Sequence, residues 1–120
     1  MTLTISTFHR DESGKFFYGP DPETPVSNLG GREVWRHVVW GSSAAKKRGA
    51  RFLPVLAESD LYVEAEDLQA FAAECRMLLG DLENFAMEVG YTDLSIGDRL
   101  RNFLAAAERT DPVNGGIIIC

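Results

Sequence analysis

The sequence predicts an α+β domain with a small, mostly antiparallel sheet and about three to four helices packed on one of its faces. Short strand-like segments come in pairs near the start and the middle of the chain, and a final one closes it. The strongest helical patterns follow one another as a group between residues 66 and 109. This order of elements is typical of α+β architecture.

The N-terminal third predicts a β-hairpin followed by a loop. Residues 2–8 alternate, with Leu3 and Ile5 on one face, and residues 15–18 are the candidate second strand after a turn at residues 9–14. Residues 19–28 contain three prolines, the last of them Pro25, so no helix is expected to cross them.

The middle third predicts a helix and two strands. Residues 31–41 place valine and tryptophan at a spacing of four, which predicts a helix ended by a glycine and two serines, and residues 44–48 predict a further helical turn. Residues 52–56 (FLPVL) predict a short strand whose proline favours an edge position. Residues 61–65 (LYVEA) alternate and predict another strand.

Helices dominate the rest of the chain. Residues 66–82 carry apolar side chains at helical spacing, and residues 83–89 predict a second helical piece. Residues 95–109 predict another helix, with Ser95 and Asp98 spaced like a capping box. Residues 117–119 are β-branched and uncharged, which predicts a final strand buried inside the sheet.

Length and composition indicate one globular unit. The chain has 120 residues, of which 45% are hydrophobic and 25% charged, so we expect a single domain over residues 1–120. The sequence contains no long apolar run and no secretory signal pattern, which predicts no membrane association. The two cysteines, Cys75 and Cys120, form no disulfide framework, so a cytoplasmic location is expected.

Charge is unevenly distributed along the chain. Residues 1–60 carry eight Lys/Arg and seven Asp/Glu, whereas residues 61–120 carry four and eleven. An acidic C-terminal half repels phosphate backbones, so nucleic-acid binding is not expected. An acidic surface favours basic protein partners. The simpler interpretation is that a net charge of −6 keeps the protein soluble.

Residues suited to catalysis or metal binding are few. Glu33 and His37 are four apart on the predicted helix, which is compatible with an acid–base pair, half a metal site, or a surface ion pair. HExxH, GxSxG and phosphate-loop motifs are absent. We therefore expect no enzymatic activity, no metal and no cofactor.

Two tryptophans are candidate interface residues. Trp35 and Trp40 are five residues apart, which places them about 140° from each other on a helix of 3.6 residues per turn. The sequence therefore predicts that one lies in the core and the other contacts a partner, because exposed tryptophans are enriched at interfaces. The alternative is that neighbouring elements cover both.

A second candidate interface is the acidic run around the predicted strand at residues 61–65. It consists of Glu58, Asp60, Glu64, Glu66 and Asp67. So many close carboxylates repel one another unless water or a basic surface stabilises them. We expect the run to meet a basic partner. A solvated strand end, with negative charge favoured at a helix start, is the alternative.

Four short segments carry a family resemblance. They are GREVWRHVVWG at residues 31–41, FLPVL at residues 52–56, DLYVEAEDL at residues 60–68 and the terminal GGIIIC. Together, over about 90 residues, they resemble small immunity-type proteins found beside bacterial polymorphic toxins. The resemblance implies a cytoplasmic protein that binds a toxin domain and blocks its active site. It implies no particular binding residue, because these residues vary among such proteins.

The expected function is therefore non-enzymatic. We expect an immunity or antitoxin-like inhibitor that binds a basic toxin domain through its acidic and aromatic residues. The alternative is a small enzyme or ligand-binding regulator that uses Glu33, His37 and the acidic run. A homo-oligomer held by a tryptophan face or a sheet edge also stays open at this point.

Overall fold

In the described part of the chain, five strands form one antiparallel sheet, in which the last strand lies between the first and the fourth. The computed structural model describes residues 1–22 and 26–120, so Pro25 of the predicted loop lies outside the described residues. The strands are β1 (Thr2–Arg10), β2 (Phe16–Tyr18), β3 (Leu29–Arg32), β4 (Leu61–Glu64) and β5 (Gly115–Ile119). β5 pairs with β1 on one side and with β4 on the other. β3 and β2 follow each other along the opposite side of β1.

Within the described residues, four α-helices accompany this sheet, which confirms the predicted α+β class. They are α1 (Ser43–Lys47), α2 (Leu68–Gly80), α3 (Leu82–Val89) and α4 (Asp93–Arg109). α4 begins two residues before the predicted Ser95. Its N-cap is Thr92, whose hydroxyl accepts the N–H of Ser95 at 3.1 Å. In the described part of the chain, no helix is both long and apolar enough to cross a bilayer.

The core lies between one face of the sheet and the helices. From the sheet it takes alternating residues of β1, β4 and β5, and from the helices it takes the predicted apolar stripes. Among its fully buried members are Ile5, Val63, Ile117, Phe71 and Phe103. The residues that alternate with these along β1, β4 and β5 point to the other face of the sheet and are not part of the core cluster. The core therefore lies on one side of the sheet, between it and the helices.

The predicted helix at residues 31–41 is wrong in its first half. Leu29–Arg32 is a strand, and only Arg36–Trp40 is helical, with a π-type pattern. Gly31 has a φ of +108°, and a Cβ there would lie 2.4 Å from the Trp35 ring. A glycine is therefore required where β3 turns towards the following helical segment.

The predicted strand at residues 52–56 is also wrong. Leu53–Ala57 forms a 3-10 helix with Pro54 near its start. The first N–H groups of a helix have no intrahelical acceptor, so the missing N–H of a proline costs no hydrogen bond there. The buried carboxylate of Glu74 on α2 accepts the N–H groups of Arg51, Phe52 and Leu53 at 2.5, 3.0 and 2.9 Å. These bonds satisfy donors at the helix start, so a tertiary contact overrides the strand-like composition.

Residues 46–48 are three consecutive basic residues, of which Lys47 and Arg48 have a structural role. Arg48 donates to the carboxylates of Asp81 at 2.9 Å and Glu88 at 2.7 Å, and Lys47 also contacts Glu88. These ion pairs fasten α1 to α3. The helix α1 confirms the helical turn predicted for residues 44–48, and the charges of Lys47 and Arg48 are matched.

Candidate protein-binding surface

The side of the sheet opposite the helices carries the surface that we call the open face. Directly paired residues of antiparallel strands share a face, so the registers Ser6–Ile118–Tyr62 and Tyr18–Phe8–Gly116–Glu64 each form a row across it. We define the open face by the residues Thr4, Ser6, Phe8, Arg10, Phe16, Tyr18, Tyr62, Glu64, Gly116 and Ile118. None of these side chains belongs to the cluster between sheet and helices.

Aromatic rings form one half of the open face. Phe8 stacks on Phe16 with 4.7 Å between ring centroids, and Phe16 meets Tyr18 edge-on at 5.1 Å. The guanidinium of Arg10 lies 5.0 Å from the centroid of Phe8 and so covers the stack. Phe8 is consequently 1% exposed although it does not belong to the cluster between sheet and helices.

Phe8 also lies directly against the central strand. A Cβ on Gly116 would stand 2.3 Å from the Phe8 ring, so the glycine provides the space that the ring occupies. A glycine inside a strand commonly marks such a close approach. The two glycines that precede the final isoleucines therefore serve the open face as well as the turn before β5.

Charge on the open face is concentrated where β4 ends. Arg10 of β1 and Glu64 of β4 form an ion pair across the intervening β5 strand. The hydrogen bond that the Arg10 guanidinium donates to Glu64 raises the pKa of Arg10, and the charge of Glu66 adds to this effect. Arg10, Glu64 and Glu66 line a shallow depression of about 140 Å³ together with residues 113–115.

Two tyrosines project from the open face. Tyr62 is 60% exposed and Tyr18 is 67% exposed, whereas Leu61 and Val63, the neighbours of Tyr62 on β4, are buried. Tyrosine combines a large apolar ring with a polar end, which makes it a frequent contact residue at interfaces. The open face thus offers exposed aromatic area next to acidic side chains.

The structure divides the predicted acidic run into two groups at opposite ends of β4. Glu58 and Asp60 precede the strand, and Glu64, Glu66 and Asp67 end it or follow it. Asp60 and Glu64 are four residue steps apart along the extended chain, which corresponds to ~13 Å. The run is therefore not one cluster, but its two groups flank the same edge strand.

Two of these five carboxylates are matched within the chain. Asp60 accepts a hydrogen bond from Arg36 at 2.7 Å, and Glu64 pairs with Arg10. Among the described residues, the other three have no ion-pair partner: Glu58, Glu66 and Asp67. All three are exposed. Their charge is available to a binding partner.

The expectation that one tryptophan lies on the surface is wrong. Trp35 is 3% exposed and Trp40 is 0% exposed. The rings meet edge-on at 5.9 Å, and the indole N–H of Trp40 donates to the carbonyl of Gly30 at 2.9 Å. Because the segment is not a regular helix, the 140° separation does not apply. We therefore remove both tryptophans from the binding surface.

Glu33 and His37 do not form the acid–base pair of the alternative function. The Glu33 carboxylate accepts a hydrogen bond from Arg36, and the His37 side chain is exposed. Arg36 also donates to the carbonyls of Leu56 and Ser59. Glu33 therefore helps to hold a structural arginine.

A further depression lies away from the open face, between α2 and α4. It measures about 510 Å³, and Leu68, Ala72 and Ala107 contribute to its lining. Arg76 and Glu108 also line it, and they pair with each other at 3.3 Å. Within residues 1–22 and 26–120, no three His, Cys, Asp or Glu side chains come together as a metal site would require.

Comparison with protein families, with curated proteins and with solved structures found no match. The interpretation of the surface therefore depends on its geometry.

Sequence reasoning found the acidic residues at the ends of β4 but missed Phe8, Arg10 and Tyr62. The available signal was the strand alternation itself, which places all three on the face opposite Ile5 and Val63.

Proposed function

We propose that the protein is a non-enzymatic binding module that holds a basic protein domain against the open face and the β4 edge. The observation that carries the proposal is an uncovered sheet face with two exposed tyrosines, together with carboxylates at both ends of β4 that form no ion pair among the described residues. Of the residues expected from the sequence, Glu66 and Asp67 lead the interaction, and Glu58 adds to it from the other end of β4.

The electrostatics support a basic partner. Glu66 and Asp67 are exposed next to the paired Glu64 and form no ion pair with any described residue, so a lysine or arginine on the partner meets accessible negative charge. Complementary charge raises association rates and discourages wrong partners. Exposed Tyr62 supplies apolar area between the acidic ends, where desolvation strengthens the contact.

The proposed role is that of an immunity or antitoxin-like inhibitor of a bacterial toxin domain, acting in the cytoplasm. Toxin domains that act on nucleic acid present basic clefts, which an acidic surface can occupy. Support comes from the sequence resemblance and from the acidic surface. The two free cysteines, Cys75 and Cys120, fit a reducing compartment.

Neutralisation in cells tests this proposal. The neighbouring gene is expressed alone, with this chain, and with the Glu66→Lys, Asp67→Lys double variant. We expect toxicity alone, protection by the wild type, and weaker protection by the variant. Glu83→Lys, Asp93→Lys is the matched control, because both carboxylates are exposed in the first turns of α3 and α4. A harmless neighbour, or equal protection by all forms, contradicts the proposal.

A further inference from the structure

The hydrogen bonds of the central strand show which main-chain groups of β4 lack a partner strand. Thr4 and Cys120 exchange two hydrogen bonds, at 2.6 and 3.0 Å, so Cys120 directs its N–H and C=O towards β1. In an antiparallel strand, successive residues direct their N–H and C=O groups to opposite sides. Ile118 therefore also faces β1, whereas Ile117 and Ile119 direct their main-chain groups towards β4.

The register then identifies the outward-facing residues of β4. Leu61 is paired with Ile119 and Val63 with Ile117, so these two residues make the hydrogen bonds to β5. Tyr62 and Glu64 consequently direct their N–H groups away from the sheet. In the described part of the chain, β5 is the one strand paired with β4 and no hydrogen bond outside the strand ladders uses the main chain of Tyr62.

The charges around this edge determine what can pair with it. Glu58 and Asp60 stand before β4, and Glu64, Glu66 and Asp67 stand at its end. Charged, short edge strands resist indiscriminate pairing. Pairing of two β4 edges from separate copies would bring these carboxylates together, which is unfavourable. A strand that carries lysine or arginine gains favourable contacts at both ends instead.

We propose that β4 accepts an extended, basic segment of the partner as an added strand, paired through the main-chain N–H and C=O of Tyr62. The inference rests on the proposed function, because the segment belongs to the basic domain that the open face binds. Added strands gain affinity from main-chain hydrogen bonds and selectivity from side chains. Here the carboxylates at both ends of β4 select positive charge.

Hydrogen exchange at single amides tests the pairing. The probe is the peptide acetyl-Lys-Val-Lys-Val-Lys-Val-Lys-amide. Two control peptides carry N-methyl groups at every second residue, one at the odd-numbered positions and one at the even-numbered positions. We expect the unmodified peptide to slow exchange of the Tyr62 amide about tenfold or more. The control whose N-methyl groups face β4 has no N–H donors on that edge, and its methyl groups keep the two strands apart, so it leaves this rate unchanged. The Leu61 and Val63 amides serve as internal references.

Two substitutions at one position isolate the main-chain donor. Tyr62→Val and Tyr62→Pro both remove the ring, but only proline removes the N–H, and an edge strand tolerates proline where its nitrogen points outwards. We expect the Kd for the peptide to be about tenfold higher for Tyr62→Pro than for Tyr62→Val, from the loss of one hydrogen bond and its orphaned acceptor. If the proline variant does not fold, the amide exchange of the wild type decides alone.

The outcomes separate this inference from the proposed function. One outcome is that Glu66→Lys weakens binding while the Tyr62 amide stays unprotected. This result overturns strand addition but leaves the acidic surface as the binding site. Protection of Tyr62 that rises with protein concentration in the absence of peptide overturns the inference in favour of a second copy. Failure of the peptide to bind at all overturns strand addition, whereas failure of neutralisation in cells overturns the proposed function.

Discussion

Glu74 and Leu53 are joined by a buried hydrogen bond in which the carboxylate accepts the main-chain N–H at 2.9 Å. The same carboxylate accepts the N–H groups of Arg51 and Phe52, and the Glu74 side chain is almost fully buried. A buried carboxylate is stable only when its oxygens are satisfied. Glu74 therefore positions the 3-10 helix at residues 53–57, which leads directly into β4.

Removing this acceptor is expected to destabilise the whole domain. Glu74→Ala leaves up to three buried N–H groups without a partner, and we expect the free energy of unfolding to fall by about 2–4 kcal/mol. Chemical denaturation followed by circular dichroism measures the change. Glu83→Ala, at an exposed carboxylate on α3, is the control. A loss for Glu74→Ala no larger than that of the control contradicts the assignment.

This contact shows why part of the fold escaped sequence reasoning. The segment FLPVL has the composition of a strand, and the residue that makes it helical lies 21 positions beyond Leu53. The strand Leu29–Arg32 was missed because its two glycines have low strand propensity, and pairing with β1 overrides that preference. Local patterns do not report such contacts.

Segments with a strong period of their own were predicted correctly. β1, β4 and the long helices α2 and α4 carry regular apolar spacing over many residues, so local pattern and tertiary packing agree. The acidic residues of the candidate surface were equally visible. The sequence did not show which of these acidic residues lie together or which are paired. That depends on a strand register that brings Arg10 next to Glu64, 54 positions further along the chain.

Arg48 gives a prediction on the pH dependence of stability. The hydrogen bonds from Asn84 and Arg48 lower the pKa of Asp81, and those from Arg48 and Lys47 lower the pKa of Glu88. The native state therefore binds fewer protons than the unfolded state. The contribution to stability is fully present above the ordinary values of 3.8 and 4.5 and is lost as the pH falls through the lowered values.

We expect Arg48→Gln to be less stable than the wild type at neutral pH and the difference to shrink on acidification below pH 4. Denaturant unfolding at a series of pH values measures it. Arg76→Gln is the matched control, because its partner Glu108 is as exposed as Arg76 itself and solvent screens the pair. A difference for Arg48→Gln that is constant between pH 3 and pH 7 contradicts the prediction.

The two cysteines should differ sharply in reactivity. Cys75 is buried in the core, and burial raises the pKa of its thiol far above the ordinary range, which suppresses the reactive thiolate. Cys120 is exposed beside β1. We expect a thiol reagent at pH 8 to modify one cysteine in the native protein and both after unfolding. Cys120→Ser should abolish the native reaction, and a second native thiol would argue against the buried position of Cys75.

Tryptophan fluorescence tests the burial of Trp35 and Trp40. Since both indoles are enclosed, we expect iodide to quench native emission weakly and unfolded emission strongly. Trp35→Phe and Trp40→Phe assign the signal to each ring. Trp40→Phe should also lower stability by about 1–3 kcal/mol, because the buried carbonyl of Gly30 loses its donor. Strong quenching of either native single-tryptophan variant would show that its ring reaches the surface.

Charge reversal at Glu66 tests the binding surface kinetically. Glu66 is exposed and has no ion-pair partner among the described residues. Reversal of Asp60 or Glu64 instead also breaks an ion pair with Arg36 or Arg10 and so confounds binding with folding. With the toxic partner, we expect Glu66→Lys to slow association about three- to tenfold at low salt, with a smaller effect on dissociation. The effect should diminish as salt screens the charge. Glu83→Lys changes net charge equally on the helical side, and equal slowing by both variants would mean that overall charge, and not this surface, steers the partner.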